Sequence, residues 1–210
     1  MAKVQGDQNV GGRGTLSEDV LVEAACRIVA ERGLDGLTMR ILAQELRVTQ
    51  MATYHWVKSK NELLALMVNH VLSEVEIPNT EQGPWNRRLA DLTERHMEAL
   101  ARYPGLANYA LSTGKETSPG LRLAAAKIDI LMSAGLSVDD AMLAYATIWS
   151  YMLGRLHVVE AQRSGGRRLE NLIGVRKVKK WRGQDYVRFA IRSIISGVAL
   201  EFDLPADWED

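Results

Sequence analysis

A single cysteine, Cys26, is all that 210 residues contain, which excludes an intramolecular disulfide framework and any multi-cysteine zinc or iron–sulfur centre. Charge of one sign is also missing: 26 Lys and Arg balance 26 Asp and Glu. That balance excludes a uniformly basic nucleic-acid coat protein and an acidic solvating chain, so any polyanion site must be local. No hydrophobic run is long enough to span a bilayer, since the longest mainly apolar stretch, Ala141 to Leu153, is interrupted by Thr147 and Ser150. The polar, Gly-rich segment from Met1 to Thr15 lacks the apolar stretch of a signal peptide. A reducing, cytoplasmic setting with no membrane partner is the expectation.

What the chain does have is a core-forming composition, 47% apolar and 25% charged, arranged at helical rather than strand spacing, with Pro and Gly between the periodic segments. The spacing predicts an all-α protein. A disordered tail (1–15) precedes a helix from about Leu16 to Arg32, with Leu21, Ala25, Ile28 and Val29 inward and Gly33 closing it. Thr38 caps a short helix holding Ile41, Leu42 and Leu46. Thr49 caps another, and Ser59 opens a longer helix, with Glu62 three residues on as a capping box. The segment Val75 to Pro84 is the candidate boundary between an N-terminal unit (16–76) and a C-terminal one (84–204). In the latter, helices are expected over Trp85–Arg102, Pro104–Ser112, Ser118–Ala134 with Gly135 just beyond, Ser137 to about Gln162, and Gln184–Leu204. The segment 163–183 reads as a basic loop, with eight bases against Glu170 over 163–182. Residues 205–210 read as an acidic tail.

Two short helices about three residues apart, braced by longer ones, form a helix-turn-helix whose second short helix would enter the major groove of DNA. The capped helix starts at Thr38 and Thr49 also offer backbone N–H groups to phosphate. Along the second helix, Gln50, Met51, Ala52, Thr53, Tyr54 and His55 contain few large aliphatics and are too polar to be simply core. Gln50 suits adenine, Met51 or Ala52 a thymine methyl, and Thr53 or His55 a base edge or phosphate. Tyr54 and Lys60 suit phosphate. The basic footprint is modest: Arg40, Arg47, Lys58 and Lys60 against Glu45.

These residues carry a resemblance. Leu37-Thr38-Met39-Arg40, Leu42-Ala43-Gln44-Glu45-Leu46, Val48-Thr49-Gln50 and the run from Tyr54 to Leu64 resemble the DNA-binding domain of the tetracycline-repressor (TetR) family of transcriptional regulators. Trp85 after an acidic, Pro-containing linker, then Gly135-Leu136-Ser137 with Asp139-Asp140-Ala141, and Leu153-Gly154 followed by Glu160, is similar to the C-terminal domain of the tetracycline-repressor class. Together the two stretches span about Leu16 to Gln162. The resemblance implies an N-terminal three-helix DNA-binding domain joined to a C-terminal helical ligand-binding and dimerisation domain. It places Thr38, Arg40, Gln50, Met51, Ala52, Tyr54, His55 and Lys60 where family members contact operator DNA. Three departures stand out. Arg47 occupies a turn position where the family often has glycine. The pair His55-Trp56 reverses the order seen in tetracycline repressors. Ala110 replaces their magnesium-binding histidine, so a tetracycline–magnesium effector is not expected.

In the C-terminal half, Met142, Leu143, Tyr145, Ile148, Trp149, Met152, Leu153, Leu156 and Val159 do not fit one stripe, nor do Phe189, Ile191, Ile194, Ile195, Val198 and Phe202. Helices apolar nearly all round must be covered on two sides. In the family the corresponding helices pair with their copies in a homodimer; the alternative is burial within a monomer. His96 shares a face with Leu89, Leu92, Leu100 and Tyr103, while Tyr145, Trp149 and Met152 recur at helical spacing. His96, Tyr103, Tyr145, Trp149 and Met152 are therefore candidate lining for a small, largely apolar effector, or plain core. No catalytic constellation, metal set or cofactor motif is present: His55, His70, His96 and His157 lack metal-ligand spacing, and there is no P-loop, dinucleotide fingerprint or nucleophile elbow. The expected function is a ligand-responsive repressor of a palindromic operator. A helical protein-interaction adaptor or an α-helical enzyme stands as the alternative.

Overall fold

The computed structural model describes residues 16–112, 117–163 and 184–208. The expected N-terminal tail (1–15) and all of the basic loop after Arg163 lie outside the described residues, as do 209–210. Among the described residues the chain is all-helical. The helices are α1 (Glu18–Arg32), α2 (Met39–Glu45), α3 (Gln50–Trp56), α4 (Lys60–Ser73), α5 (Trp85–Ala101), α6 (Leu106–Ser112), α7 (Ser118–Ser133), α8 (Val138–Arg163) and α9 (Gln184–Glu201).

Side chains close each helix start in the N-terminal unit. Ser17, Thr38, Thr49 and Ser59 accept the backbone N–H of Val20, Ile41, Ala52 and Glu62, each satisfying one donor that an α-helix leaves orphaned. The capping box at Ser59 closes differently from the expectation. The Glu62 carboxylate reaches past Ser59 to accept the N–H of Lys58 at 2.6 Å. Helix α2 ends in a Schellman motif, with Val48 N–H donating to Ala43 and Arg47 N–H to Gln44. Its left-handed residue is Arg47, at φ 55°, so the turn keeps the glycine geometry without the glycine.

Burial then assembles the units. Leu21, Ala24, Ala25 and Val29 of α1, Leu42 of α2 and Leu63 and Met67 of α4 are all essentially inaccessible, each large one contributing about 1.5–3 kcal/mol. One continuous cluster of buried residues runs from α1 to α9. Helix α4 packs on α1 at one side and on α5, α6 and α7 at the other, so it belongs to both units. Helices α5, α7, α8 and α9 form the C-terminal body. The last residues are part of that body: Trp85 donates its indole N–H to Pro205, Asn86 its amide to Asp207, and Arg192 lies over the Trp208 ring. The expected acidic tail is therefore stapled down as far as Trp208.

Three polar struts tie the units together. Leu34 N–H donates to the Pro104 carbonyl, Tyr109 Oη donates to the Asn61 carbonyl, and the Arg122 guanidinium donates to the carbonyls of Leu72, Ser73 and Val75. The last strut caps the C-terminus of α4 with a cation from α7, where the helix dipole favours one.

Candidate DNA-reading surface and effector cavity

Helix α3 presents one face outward and anchors itself with the other. Gln50, Met51, Tyr54 and His55 are exposed, Met51 to 78%. Tyr54 and Trp56, each 39% exposed, stand on the same short helix, so α3 carries a cluster of open apolar surface. Thr38, Arg40 and Thr49 are also exposed, and Ala52 is half-buried. His55 meets Trp56 edge-to-face at 5.7 Å, which orients both rings at the end of the helix. Two expected contact residues have partners within the protein. Thr53 is fully buried with its hydroxyl donating to the Gln50 carbonyl at 2.7 Å, so it anchors α3 and has no path to a base edge. Lys60 is half-buried and its Nζ donates to the Leu34 carbonyl at 3.3 Å, bracing the turn before α2. The helix period explains the first: on seven residues, one position in three or four must face the core.

Behind α4 lies a cavity of about 510 Å³. Helix α4 gives it Val68 and Leu72, α5 gives His96 and Leu100, α6 gives Ala107 and Ala110, α7 gives Gly120, Leu121 and Ala124, and α8 gives Tyr145, Trp149, Leu153 and Leu156. Its walls are mostly apolar, with aromatic surface on one side, as suits a small organic ligand. Tyr145 and Trp149 stack at 6.3 Å, and Trp149 lies 5.9 Å from His96. Ala110 offers no ligating side-chain atom where the resemblance places a magnesium-binding histidine.

Of the expected lining, His96, Tyr145 and Trp149 are present, whereas Tyr103 and Met152 are not. Helix α5 stops at Ala101, so Tyr103 leaves the face that His96 occupies and lines a separate cleft with Val71 and Arg102. Met152 belongs to the next stripe round α8, with Ala141, Ala144 and Ile148, and is fully buried.

The sequence reading missed Lys127. This α7 side chain is 1% exposed and its Nζ is 3.0 Å from His96 Nδ1. An ammonium only donates, so when Lys127 is charged Nδ1 accepts and the ring proton sits on Nε2. Burial pushes the Lys127 amine down to about 7, while burial and then the neighbouring Lys127 charge push His96 down to about 3. The signal was available: Lys127 follows Leu123 by four and precedes Ile130 and Leu131 by three and four, placing a lysine in an apolar stripe. Arg122, the cap on α4, carried no comparable pattern.

Comparisons with known proteins bear on both regions. Residues 21–67 match the family model described as "Bacterial regulatory proteins, tetR family". Residues 77–191 match "Tetracyclin repressor-like, C-terminal domain". The HTH-type transcriptional repressor DrrR1 of Streptomyces coeruleorubidus is 29% identical over 178 residues, 83% of this chain and 63% of that protein. The class A tetracycline repressor protein from transposon 1721 of Escherichia coli is 30% identical over 142 residues, 66% of this chain and 65% of its own length. The chain thus spans less than two thirds of the length of these curated relatives. Among solved structures, a possible TetR family transcriptional regulator from Streptomyces coelicolor A3(2) superposes with a TM-score of 0.74 at 25% identity, covering 88% of this chain and 100% of that one. BioQ, solved with its double-stranded DNA operator, shares the fold at a TM-score of 0.65 and 24% identity, covering 89% of this chain and 99% of that one.

Proposed function

The chain belongs to the tetracycline-repressor (TetR) family, and on that premise we propose that it is a ligand-responsive, sequence-specific transcriptional repressor. In this reading Gln50, Met51, Ala52 and His55 read base edges of a palindromic operator, with Thr38, Arg40, Thr49 and Tyr54 holding the phosphates and Lys60 assisting from the turn it braces. The cavity behind α4 takes a small, largely apolar effector. It acts as a binding protein rather than an enzyme, and works in the cytoplasm, where its operator lies. No described helix is long and apolar enough to cross a membrane.

One observation carries the reading: the same helix, α4, braces α1 of the reading head and walls the cavity through Val68 and Leu72. An occupant that moves those side chains moves the head. Since a ligand shifts an equilibrium only through differential affinity, release from DNA requires that it bind the displaced state more tightly.

Helices α8 and α9 support a homodimer. Leu143 is 63% exposed, Phe189 70% and Leu200 85%, and a Cβ added to Gly154 or Gly197 would meet no atom within 4 Å. Apolar and small residues on two adjoining helices supply the covering surface that a second copy needs. A two-fold pair then sets two α3 helices about one turn of DNA apart.

Selection from a random duplex library tests the reading. A palindromic winner, bound far more tightly than scrambled DNA across a salt series, is the expected result. Weak binding without enrichment, vanishing as salt rises, would move the weight to a protein-interaction adaptor.

A further inference from the structure

Behind the cavity wall stands a buried amine that has no counter-ion in the described structure. Lys127 is almost wholly inaccessible, and its one polar contact at hydrogen-bond distance is His96 Nδ1 at 3.0 Å. No carboxylate among the described residues forms an ion pair with it. A cation buried without an anion is costly, and a core does not need one. Helices α4 and α6 bring only apolar side chains to this cavity, and its titratable lining groups are His96 from α5 and Tyr145 from α8. With the amine on Nδ1, Nε2 is the ring donor of His96 that Lys127 does not use, and His96 lines the cavity beside Trp149.

We propose that this cavity selects a flat, largely apolar molecule bearing one acidic oxygen group, whose anion is received by His96 Nε2–H while Lys127 supplies the counter-charge from behind. The ring system lies against Trp149 and Tyr145. This rests on the reading of the cavity as the effector site, and names the class of effector. Protons balance simply. A ligand entering as the neutral acid gives its proton to the Lys127 amine. One entering as the anion draws that proton from solvent. With the amine held near 7, either exchange lies within reach at neutral pH.

The probes are 2-naphthoate and its neutral counterpart 2-naphthamide, titrated calorimetrically into the full chain at pH 7.5 in buffers of different ionisation enthalpy. The wild type is expected to bind the acid at least ten-fold more tightly than the amide, with net proton uptake on binding the anion. Lys127→Met should lose both the preference and the proton uptake while keeping amide affinity, and His96→Gln should reduce the preference, with melting curves confirming that both variants fold. Equal affinity of the wild type for acid and amide overturns the proposal and leaves the effector cavity standing. So does an undiminished preference in Lys127→Met. Binding of neither probe by a protein that still selects an operator removes the effector-cavity reading, and this inference with it.

Discussion

Leu34 N–H donates to the Pro104 carbonyl at 2.9 Å, joining the turn before α2 to the turn between α5 and α6. The next residue, Gly105, has φ 93°, and a Cβ built there would stand 2.5 Å from Leu34 Cβ. Its N–H is taken by the Glu160 carboxylate of α8. Gly105→Ala therefore meets both backbone strain and overlap. It is expected to lower unfolding stability by about 1–3 kcal/mol and to speed amide exchange at Leu34 and Leu37. A melting curve and exchange pattern like the wild type would show that this latch carries no load.

On α3, a base-reading side chain and a phosphate-holding one should fail differently. Gln50→Ala is expected to blunt discrimination at one base step by about 1–3 kcal/mol. Arg40→Ala should instead weaken binding to all duplexes alike and reduce the slope of log K against log salt by about 1. Binding measured on the selected operator and its single-base variants distinguishes the two. An unchanged base preference in Gln50→Ala would mean that α3 is not the reading helix.

Arg47 holds the left-handed turn position at φ 55°, where a Cβ costs about 1–2 kcal/mol. Arg47→Gly should raise stability by up to ~1 kcal/mol in urea unfolding, the gain reduced by the freer unfolded chain. Loss of stability would show that the arginine side chain makes a compensating contact.

Lys127 and His96 make stability depend on pH in one direction. Both are bases held below their usual values, to about 7 and about 3, so the unfolded chain binds more protons than the folded one between those values and the unfolded ones. The stability they permit is fully present above pH 10.5, declines toward 7 because the lysine takes up a proton in the unfolded chain and not in the folded one, and declines again from 6.5 toward 3 for the same reason at His96. Lys127→Met should flatten the upper window and stabilise the protein near pH 7 by about 1–4 kcal/mol. Chemical denaturation at pH 6, 8 and 10 checks it. A lower stability for Lys127→Met at every pH would mean that the lysine is a structural hydrogen-bond donor first.

If a second copy covers α8 and α9, a buried charge there splits the pair. Phe189→Glu and Leu200→Glu should each shift the sedimenting species from dimer to monomer, with loss of operator affinity and little change in helical content. A dimer that survives both substitutions places the interface elsewhere.

The helices and the reading head were legible in the order of residues because their causes are local. Capping hydroxyls at Thr38, Thr49 and Ser59 sit next to the N–H groups they satisfy, Gly135 ends α7 in left-handed geometry at φ 113°, and the period of apolar residues marks each buried face. The turn at Arg47 was legible as well, as a position where the usual glycine is missing. Tertiary structure decided which face of a helix looks where. Thr53 and Met51 are two residues apart on α3, yet one is fully buried and the other 78% exposed, which depends on how α3 seats against its neighbours. Met152 and Trp149 share α8, yet only Trp149 borders the cavity, and Tyr103 left the His96 face because α5 ended first. The pairing of Lys127 with His96 joins α7 to α5 across 31 positions. No periodicity in one helix announces a partner in another, because which two faces meet is set by the packing of the whole bundle.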